Sequence, residues 1–342
     1  MDVLMPDGTG GVCLQAAEQP PRPPGFLRVR TLRSLVSPGT EMSMLAGTKD
    51  ADPQALRNAG FRLGYNACGF VEESCPTVPG IGAGDLVACY GGPYVEHASV
   101  LAVPHRLAHP VPAGLDGAEA CFMGLGAIAL HGMRCGQVAL GESVLVIGAG
   151  VIGQLVAQLA CLAGCRVLVT DPLQERLDLF AAHTCRDWPV SVAGAEEVAA
   201  KLPAAGADVV LVAAASSSSE PVARAFEWVA RRGRIVLLGA VPIEASRSLA
   251  FEKEATLVAT LAAGPGRYDP VFERDGIDYP QAHVRWTEQR NCREVLALIA
   301  EGRLRVRHLI SRTVPVAEAP AAYSEIARGS IAGTVLLRWG DT

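Results

Sequence analysis

The sequence lacks long runs of positive charge, and this absence argues against a nucleic-acid partner. Its 30 Lys and Arg residues stand against 35 Asp and Glu residues, which gives a formal net charge of -5. No Lys or Arg block is longer than two residues. Because no stretch supplies the positive surface that a phosphate backbone requires, we expect no nucleic-acid partner.

A long apolar run is also missing. Residues 155–163 form one of the longest apolar stretches, and they are too few to cross about 30 Å of hydrocarbon. The first eleven residues begin with an acidic side chain and contain Gly and Pro, where a secretory signal would have basic residues and then an apolar run. We expect a cytosolic protein without a membrane partner.

Metal-binding and disulfide patterns are absent among the 10 cysteines. None forms a C-x-x-C pair, and no His lies at finger-like spacing. Several cysteines lie inside apolar runs, where a thiol behaves as a small hydrophobic group. This pattern favours buried free thiols over disulfides or metal ligands.

The length of 342 residues, half of them hydrophobic, is enough for two domains with separate cores. The first third contains short β-like runs separated by turns with Gly and Pro, at residues 26–30, 69–73, 85–89 and 94–100. This spacing predicts a barrel-like β domain. Residues 116–134 then predict a joint helix that is capped by Asp116.

A different pattern follows from residue 142. Runs that predict strands buried on both faces alternate with helical patterns, at residues 144–147, 166–170, 209–213 and 234–238. This alternation is typical of a parallel, doubly wound sheet. Residues 265–290 predict a long ordered loop. The chain then closes with a helix at 292–301, a strand at 308–315, a helix at 316–328 and a strand at 334–339.

A glycine-rich turn lies between the first of these strands and the helix at 154–163. Its sequence is Gly148-Ala149-Gly150-Val151-Ile152-Gly153. Gly148 permits a tight turn, Gly150 has no Cβ to block a pyrophosphate, and Gly153 lets the helix approach the strand. Free N–H groups at the helix N-terminus would then face the anion. This context predicts a dinucleotide site.

Two charged residues bear on the choice of cofactor. Asp171 ends the second strand, where a carboxylate accepts hydrogen bonds from a ribose and repels a 2'-phosphate. NAD is therefore favoured over NADP, although Arg176 offers a positive partner to a phosphate. Asp171 as the cap of an Asp-Pro turn is the structural alternative. Ala214, Gly239 and Ala240 at later strand ends should flank the nicotinamide.

Local strings give a family resemblance over essentially the whole chain. They are SPGTE at residues 37–41, LGYN at 63–66, GAIAL at 126–130 with LGE at 140–142, and GPGRYDP at 264–270. The chain resembles the medium-chain dehydrogenase/reductase superfamily, and in particular the dehydrogenase half of bacterial bi-domain oxidoreductases. The resemblance implies an α/β fold, with a β-rich GroES-like catalytic domain at 1–118 and 275–342 and a Rossmann domain at 119–274.

The resemblance also bears on zinc, because the superfamily's zinc enzymes hold the metal with Cys, His and Cys or Glu. The matching positions here are Pro38, Tyr65 and about Gly124, and the structural-zinc loop has no counterpart. We therefore expect no catalytic zinc. A site rebuilt from Cys68, His97 or His131 is the alternative.

Without a metal, a protein group must handle the proton. By its matched position Tyr65 is a candidate acid or base, and Thr40 matches the hydroxyl that passes protons in the zinc enzymes. Glu41 and Asn66 are candidates to orient these groups or bind substrate. A core role for Tyr65, with its hydroxyl satisfied by backbone, remains open.

Forked donors and aromatic faces in the 265–290 segment predict a substrate surface. Arg267, Tyr268, Arg285 and Trp286 suit an oxygen-rich or anionic substrate. The alternative is that these residues pair with one another to hold the segment in place. An alternating run at 247–261 matches a segment that in relatives adds an edge strand across a two-fold axis, so we expect a homodimer.

The combined prediction is an NAD(H)-dependent, zinc-independent oxidoreductase that interconverts a polar secondary alcohol, such as a sugar, cyclitol or specialised metabolite, and its ketone. A quinone- or enoyl-type reductase is the first alternative, since its enolate can be held by hydrogen bonds alone. A tetrapyrrole side-chain dehydrogenase, which some zinc-less relatives resemble, is another. A dinucleotide-binding protein without catalysis is the non-enzyme alternative.

Overall fold

The computed structural model describes residues 1–74, 78–184 and 190–340. The chain forms two compact units. The first combines Met1–Gly124, Pro265–Gly302 and Leu309–Thr342, and the second combines Leu125–Gly264 with Arg303–His308. The boundaries at 124/125 and 264/265 differ from those expected at 118/119 and 274/275, because the joint helix divides between the units and the 265–290 segment packs with the first.

The first unit is rich in β-structure. The N-terminal part has strands β1 (Asp2–Pro6), β2 (Val12–Ala16), β3 (Phe26–Leu35), β4 (Asn66–Glu73), β5 (Leu86–Tyr90), β6 (Val100–Pro104) and β7 (Ala108–Pro110), and helices α1 (Pro38–Ala46), α2 (Pro53–Asn58) and α3 (Gly117–Ala120). Short 3-10 turns cover His105–Leu107 and, later in the chain, Ala195–Glu197, Arg307–Leu309 and Val316–Glu318.

The second unit is an alternating α/β structure. Its strands are β8 (Ser143–Ile147), β9 (Arg166–Thr170), β10 (Val190–Ala193), β11 (Ala207–Val212), β12 (Val229–Leu237) and β13 (Thr256–Ala259). Its helices are α4 (Met123–Cys135), whose first two residues belong to the first unit, α5 (Val151–Leu162), α6 (Gln174–Thr184), α7 (Val198–Lys201), α8 (Glu220–Trp228) and α9 (Arg247–Lys253).

The chain then returns to the first unit. The returning elements are α10 (Pro270–Glu273), α11 (Glu288–Ala300), β14 (Ile310–Pro315), α12 (Ala319–Ala327) and β15 (Thr334–Arg338). The main sheet of this unit has the order β14-β15-β3-β4-β5-β7, with β6 also paired to β3, and β1 pairs with β2. C-terminal residues are thus built into the same sheet as residues near position 35.

Strand register in this sheet positions the candidate catalytic residues. Asn66 opens β4 and lies opposite Tyr90 on β5, so Tyr65 immediately before it lies next to the same ring. Leu336 on β15 lies opposite Leu35 on β3, which brings the start of β15 close to the residues that precede α1, where the Thr334 hydroxyl donates to the Val36 carbonyl. Pro38 is well suited to the first turn of α1, where its missing N–H has no partner to lose.

The second unit contains a parallel sheet in the order β10-β9-β8-β11-β12-β13. Every residue of β8 is buried, and β9 is buried after its first residue. Strands covered on both faces read as continuous apolar runs, which is why the sequence revealed them. The order reverses direction between β8 and β11, and this switch point is where doubly wound sheets bind their ligands. The predicted α/β fold, a Rossmann sheet with a β-rich domain, is confirmed.

Some predicted elements are wrong in detail. The strand expected at 94–100 begins only at Val100, because residues before it form turns. The joint helix is broken into α3 and α4, although Asp116 caps it as expected. The 247–261 run forms α9 and then the short strand β13, and the 265–290 loop contains α10. Local alternation predicted strand where tertiary packing selects helix.

The predictions of free cysteines and of no membrane-spanning segment can be compared with the structure only for the residues that it describes. Cys13, Cys68, Cys89, Cys121, Cys135, Cys161, Cys165 and Cys292 are free, and most are buried. Cys75 and Cys185 lie outside the residues that the structure describes. Within the described ranges, every helix is too short or too polar to span a bilayer.

Candidate functional site

The glycine-rich turn after β8 has the backbone that a dinucleotide site requires. Gly148 has a φ of +105°, a left-handed conformation that side chains disfavour. A Cβ at Gly153 would lie 1.7 Å from the Gly148 carbonyl oxygen. Both glycines are therefore needed to hold helix α5 against the strand.

Gly150 has a different role. It is the N-cap of α5, and a Cβ built on it would meet no atom within 4 Å among the described residues. The first N–H groups of a helix have no intrahelical acceptor and favour an anion. The open space beside this helix N-terminus, next to Val151 and Ile152, therefore fits a nucleotide diphosphate.

Both backbone groups of Ala149 in this turn are held by side chains. Its N–H donates to Asp171 Oδ2 over 2.7 Å, and its carbonyl accepts from Gln154 Nε2 over 3.0 Å. Gln154 is fully buried on α5, and its Oε1 lies 3.2 Å from His308 Nε2. Gln154 was not among the predicted site residues, although a Gln in an otherwise apolar helix is a signal that the sequence contains.

Asp171 lies where the sequence predicted, at the end of β9. Its side chain is almost entirely buried, and its Oδ1 accepts the Leu173 N–H over 2.8 Å. The Arg176 guanidinium lies 3.6 Å from Asp171 Oδ2. The carboxylate is thus tied to the glycine-rich turn and to the next helix, as the structural alternative expected.

The ends of β11 and β12 pack closely together. A Cβ at Gly239 would lie 1.9 Å from the Ala214 carbonyl oxygen. The Ser216 N–H donates to the Ala240 carbonyl over 3.0 Å. Only glycine fits at 239, so Ala214, Gly239 and Ala240 form one continuous backbone surface at the strand ends.

In the first unit, Tyr65 is surrounded by hydroxyl groups. Its phenol donates to Ser37 Oγ over 2.6 Å, and its oxygen lies 3.4 Å from Thr40 Oγ1. Burial raises the pKa of Tyr65 to about 12, the Ser37 and Thr40 hydrogen bonds lower it, and the charge of Glu41 raises it further. The phenol therefore keeps its proton at neutral pH. Thr40 is exposed, so it connects the phenol to solvent.

Glu41 is fully buried, so it cannot touch a substrate directly. Its Oε1 accepts the Ser37 N–H over 2.6 Å, and its Oε2 accepts the Tyr323 hydroxyl and lies 3.1 Å from His97 Nε2. These contacts fix the turn that carries Ser37 and Thr40. Glu41 thus orients the hydroxyl groups around Tyr65. Ser37 and Tyr323 were missed as site residues, and His97 was considered only as a zinc ligand, because residues far apart in sequence build this cluster.

The positions that match zinc ligands do not fit a metal. A Cβ at Gly124 would lie 2.1 Å from Tyr90 Cδ2 and 2.2 Å from Asn66 Oδ1. The space that a third ligand would need is therefore filled. Pro38 supplies no ligand atom, and the Tyr65 hydroxyl is bonded to Ser37.

The alternative zinc site is also not assembled. His97 is bonded to Glu41 and Ser34, and His131 contacts Cys135 Sγ at 3.4 Å. Burial raises the pKa of the Cys68 thiol to about 12, which disfavours the thiolate that a metal binds. Across residues 1–74, 78–184 and 190–340, no group of three or more His, Cys, Asp or Glu side chains could hold a metal ion.

Asn66 has an unusual environment. It is 1% exposed, and neither its Nδ2 nor its Oδ1 has a hydrogen-bond partner among the described residues. An unpaired buried donor or acceptor costs about 1–3 kcal/mol. The Asn66 amide therefore retains hydrogen-bonding capacity beside Tyr65 and Tyr90, although it is closed to solvent.

The 265–290 segment is held by a buried charge cluster. Arg267 bonds Glu273 and the Gly92 carbonyl, so its guanidinium is already satisfied. Glu288 is fully buried, and this burial raises the pKa of its carboxyl group to about 9. The negative charge of Glu273 also raises this pKa, whereas the positive charge of Arg267 lowers it. Glu288 thus remains protonated at neutral pH.

The four predicted substrate residues of this segment differ in exposure. Arg267 is 7% exposed, whereas Tyr268 is 61% exposed. Arg285 is exposed and lies 5.7 Å from the Trp286 ring centroid. Arg267 therefore holds the 265–290 segment in place, as the alternative in the sequence analysis expected. Tyr268 is exposed and could contact a ligand.

The fold is shared with solved dehydrogenase structures. Residues 151–274 match the family model described as zinc-binding dehydrogenase. The match covers about a third of the chain, mostly in the second unit. The prediction of an enzyme of the dehydrogenase or reductase type is confirmed by the curated relatives, which are named as dehydrogenases and reductases.

Among these relatives, D-guloside 3-dehydrogenase of Escherichia coli (strain K12) is 27% identical over 281 residues, which are 80% of this chain and 75% of the relative. The 2-dehydro-3-deoxy-L-galactonate 5-dehydrogenase of Pseudoalteromonas atlantica is 27% identical over 230 residues, which are 66% of this chain and 59% of the relative. A structure of a zinc-binding type dehydrogenase from Sinorhizobium meliloti 1021, bound to NADP, has a TM-score of 0.76 and 20% identity, with 99% of each chain covered. At this identity the structural likeness shows the fold.

Proposed function

We propose that this protein is a zinc-independent, NAD(H)-dependent oxidoreductase that interconverts a polar secondary alcohol of the sugar or polyol class and its ketone. The observation that carries the proposal is Tyr65, a protonated phenol at a position that, by the family resemblance, matches a zinc ligand, beside a position 124 that admits no ligand side chain. The names of the relatives, D-guloside 3-dehydrogenase and 2-dehydro-3-deoxy-L-galactonate 5-dehydrogenase, support the sugar class.

The cofactor part rests on the glycine-rich turn and Asp171. Gly150 leaves open space at the N-terminus of α5, and Asp171 presents a carboxylate that disfavours a 2'-phosphate. Arg176 lies beside this carboxylate and would attract the 2'-phosphate of NADP. NAD is preferred only if the repulsion of that phosphate by Asp171 is stronger than its attraction to Arg176. Bound NAD(H) would supply or accept the hydride.

Tyr65 would handle the oxygen of the substrate. In the reductive direction its phenol turns from Ser37 toward the carbonyl oxygen and donates the hydrogen bond and then the proton. Thr40 returns a proton to the phenol from solvent. In the oxidative direction the same path runs in reverse. Glu41 keeps Ser37 and Thr40 in place and, by its charge, favours the protonated phenol.

A second candidate is an enoyl- or quinone-type reductase. It is favoured by the same raised pKa, because a neutral phenol that donates a hydrogen bond can hold an enolate oxygen without a metal. A tetrapyrrole side-chain dehydrogenase and a protein that only binds the dinucleotide remain as outcomes of the same assays.

The deciding experiment combines turnover with metal analysis. Purified protein is assayed with NADH and NADPH on ketoses and enones, and with the oxidised coenzymes on polyols, glycosides and a tetrapyrrole. The expected result is turnover of the sugar class with NAD(H), unaffected by chelator, with well below one zinc per chain. Stoichiometric zinc whose removal abolishes turnover would overturn the zinc-independent mechanism. Turnover of enones alone would establish the second candidate, and coenzyme binding without any turnover would establish the binding protein.

We also propose a homodimer that pairs through β13. This strand, Thr256–Ala259, lies at one edge of the Rossmann sheet, and Phe251 before it and Leu261 after it are 79% and 59% exposed. An exposed sheet edge with apolar neighbours suits pairing with a second copy about a two-fold axis. Sedimentation equilibrium should give twice the chain mass of 35.8 kDa, and a mass equal to one chain would exclude the dimer.

A further inference from the structure

The side chain of Tyr268 is held in an exposed position by an unusual backbone. It is 61% exposed, and its φ is +66°. Bulky residues rarely adopt this left-handed conformation, which costs free energy unless the surroundings impose it. The neighbouring Gly266 also has a positive φ, +100°. The chain therefore turns in a way that presents an aromatic ring to solvent.

The ring and the backbone of Tyr268 are fixed by the same pair of buried charges. Glu273 Oε1 accepts the Tyr268 N–H over 2.9 Å and also accepts a hydrogen bond from Arg267. The Arg267 guanidinium lies 3.9 Å from the Tyr268 ring centroid and is held from the other side by the Gly92 carbonyl. One face of the ring is thus covered by a fixed cation, and the other face is available.

Tyr268 is connected to the candidate proton donor through packed side chains of the same unit. The Arg267 guanidinium lies 5.7 Å from the Tyr90 ring centroid, and the Tyr90 ring packs edge-on against Tyr65 with centroids 6.0 Å apart. The Tyr268 hydroxyl also adds to the electrostatic environment of the Tyr65 phenol. The exposed ring therefore lies within electrostatic reach of the group that would act on the substrate oxygen.

We propose that the free face of Tyr268 is a stacking subsite for the ring of a closed-ring sugar or glycoside substrate. This inference rests on the proposed function and narrows its substrate class. A pyranose ring has a flat face of C–H groups and a polar rim, so it can cover an aromatic face while its hydroxyl groups remain solvated. An open-chain polyol has no such rigid face and would first have to lose conformational freedom.

Binding measurements on two matched ligand classes test the subsite. Dissociation constants are measured by ligand-observed NMR, in the presence of NADH, for methyl pyranosides and for the corresponding open-chain alditols. Tyr268→Ala should weaken pyranoside binding about tenfold, a loss of about 1.4 kcal/mol, and change alditol binding less than about twofold. Tyr268→Phe should bring pyranoside binding back to within about threefold of the wild type. Ile277→Ala, a control at another exposed apolar residue of this segment, should change neither class.

Three outcomes would overturn the subsite. They are no pyranoside binding by the wild type, an equal loss for both classes in Tyr268→Ala, and a change in sedimentation coefficient in Tyr268→Ala, which would assign the ring to a contact between copies. Failure of the proposed function is read separately. Pyranosides that bind with the predicted Tyr268 dependence but are never oxidised would leave the subsite in place and refute the reaction.

Discussion

The Glu41 carboxyl and the His97 imidazole form a fully buried pair, with 3.1 Å between Oε2 and Nε2. The other imidazole nitrogen, Nδ1, lies 2.8 Å from Ser34 Oγ, and this same oxygen accepts the Trp339 indole N–H over 2.8 Å. An indole N–H can only donate, so Ser34 Oγ is the acceptor in its contact with Trp339. Trp339, near the C-terminus, is thus linked through Ser34 and His97 to Glu41, beside the turn that carries Ser37 and Thr40.

The first prediction tests the buried pair. Tyr323→Phe removes one donor from Glu41 and should lower the free energy of unfolding by about 1.5–3 kcal/mol, the range for a hydrogen bond to a charged group. Chemical denaturation measures this change. Tyr279→Phe is the matched control, because Tyr279 also donates to a carboxylate, that of Asp269, but nearer the surface. Tyr279→Phe should lower the free energy of unfolding by less than about 1 kcal/mol. Equal losses in both variants would contradict the buried network.

The second prediction concerns Tyr65 as proton donor. Tyr65→Phe should lower kcat for ketone reduction by about 10²–10⁴-fold, while coenzyme affinity changes less than about twofold. Because the pKa of this phenol is raised to about 12, the wild-type rate should not fall with rising pH until the pH approaches that value. Tyr94→Phe provides the same change elsewhere in the first unit and should keep wild-type kcat. Full activity of Tyr65→Phe would remove Tyr65 from the mechanism.

The third prediction concerns Asp171. Asp171→Asn keeps an oxygen that can accept the Ala149 N–H but removes the charge that repels a 2'-phosphate. The ratio of kcat/KM for NAD over NADP should fall about tenfold, as expected for about 1.4 kcal/mol of lost discrimination. Steady-state kinetics with both coenzymes measures it. Asp178→Asn on α6, where Asp178 accepts from Gln174, should leave the ratio unchanged. An unchanged ratio in Asp171→Asn as well would confine Asp171 to a structural role.

The fourth prediction follows from the raised pKa of Glu288. The folded protein keeps this proton up to about pH 9, whereas the unfolded chain releases it near pH 4.3. Between these values the folded state binds more protons, so the contribution of Glu288 to the free energy of unfolding falls by up to about 1.4 kcal/mol per pH unit. Gln at this position stays neutral at every pH. Glu288→Gln should therefore reduce the slope of the free energy of unfolding against pH by the amount that corresponds to one proton in this window. Urea unfolding across the window, with the exposed Glu252→Gln as control, measures both slopes. Parallel slopes for wild type and Glu288→Gln would show that Glu288 is ionised in the folded protein.

The fifth prediction separates stability from activity at Asn66. Asn66→Leu replaces an unpaired buried amide with an apolar group of similar shape, so stability should be kept or increased by about 1 kcal/mol. If the amide serves the substrate when the site reorganises, kcat/KM should drop at least about tenfold in the same variant. Thermal unfolding and steady-state kinetics are measured together. Loss of stability without loss of activity would show that Asn66 serves only the fold.

Elements with strong local signals were predictable from the sequence. The strand at 166–170 was placed at its observed bounds, and the glycine-rich turn was recognised with its helix, because buried parallel strands and glycines at fixed spacing leave local patterns. The β-rich part was less readable. The strand expected at 94–100 failed because β-propensity depends on which neighbours a segment meets, and those neighbours are distant in sequence.

Site residues follow the same division. Asp171 and the glycines could be proposed for the cofactor site because they lie in one βαβ unit with a local pattern. The buried residues Tyr323 and Glu288 could not, because polar residues in apolar surroundings are informative only once their contacts are known. Gln154 left a local signal, and His97 was considered only as a zinc ligand. Arg267 and Tyr268 show the limit clearly. They are adjacent in sequence and were assigned the same role, yet one is buried in an ion pair and the other is exposed.

The sequence by itself indicated the Rossmann sheet and the glycine-rich turn, since each depends on residue type and local spacing, and the family resemblance placed Pro38, Tyr65 and Gly124 at the positions that match zinc ligands. Only the tertiary structure decided that position 124 is closed by Tyr90 and Asn66, that Glu41 is held by residues from both ends of the chain, and that Arg267 supports Tyr268. The physical reason is that sheet register and side-chain packing, rather than local propensity, bring distant residues within hydrogen-bonding distance and decide which polar groups are buried.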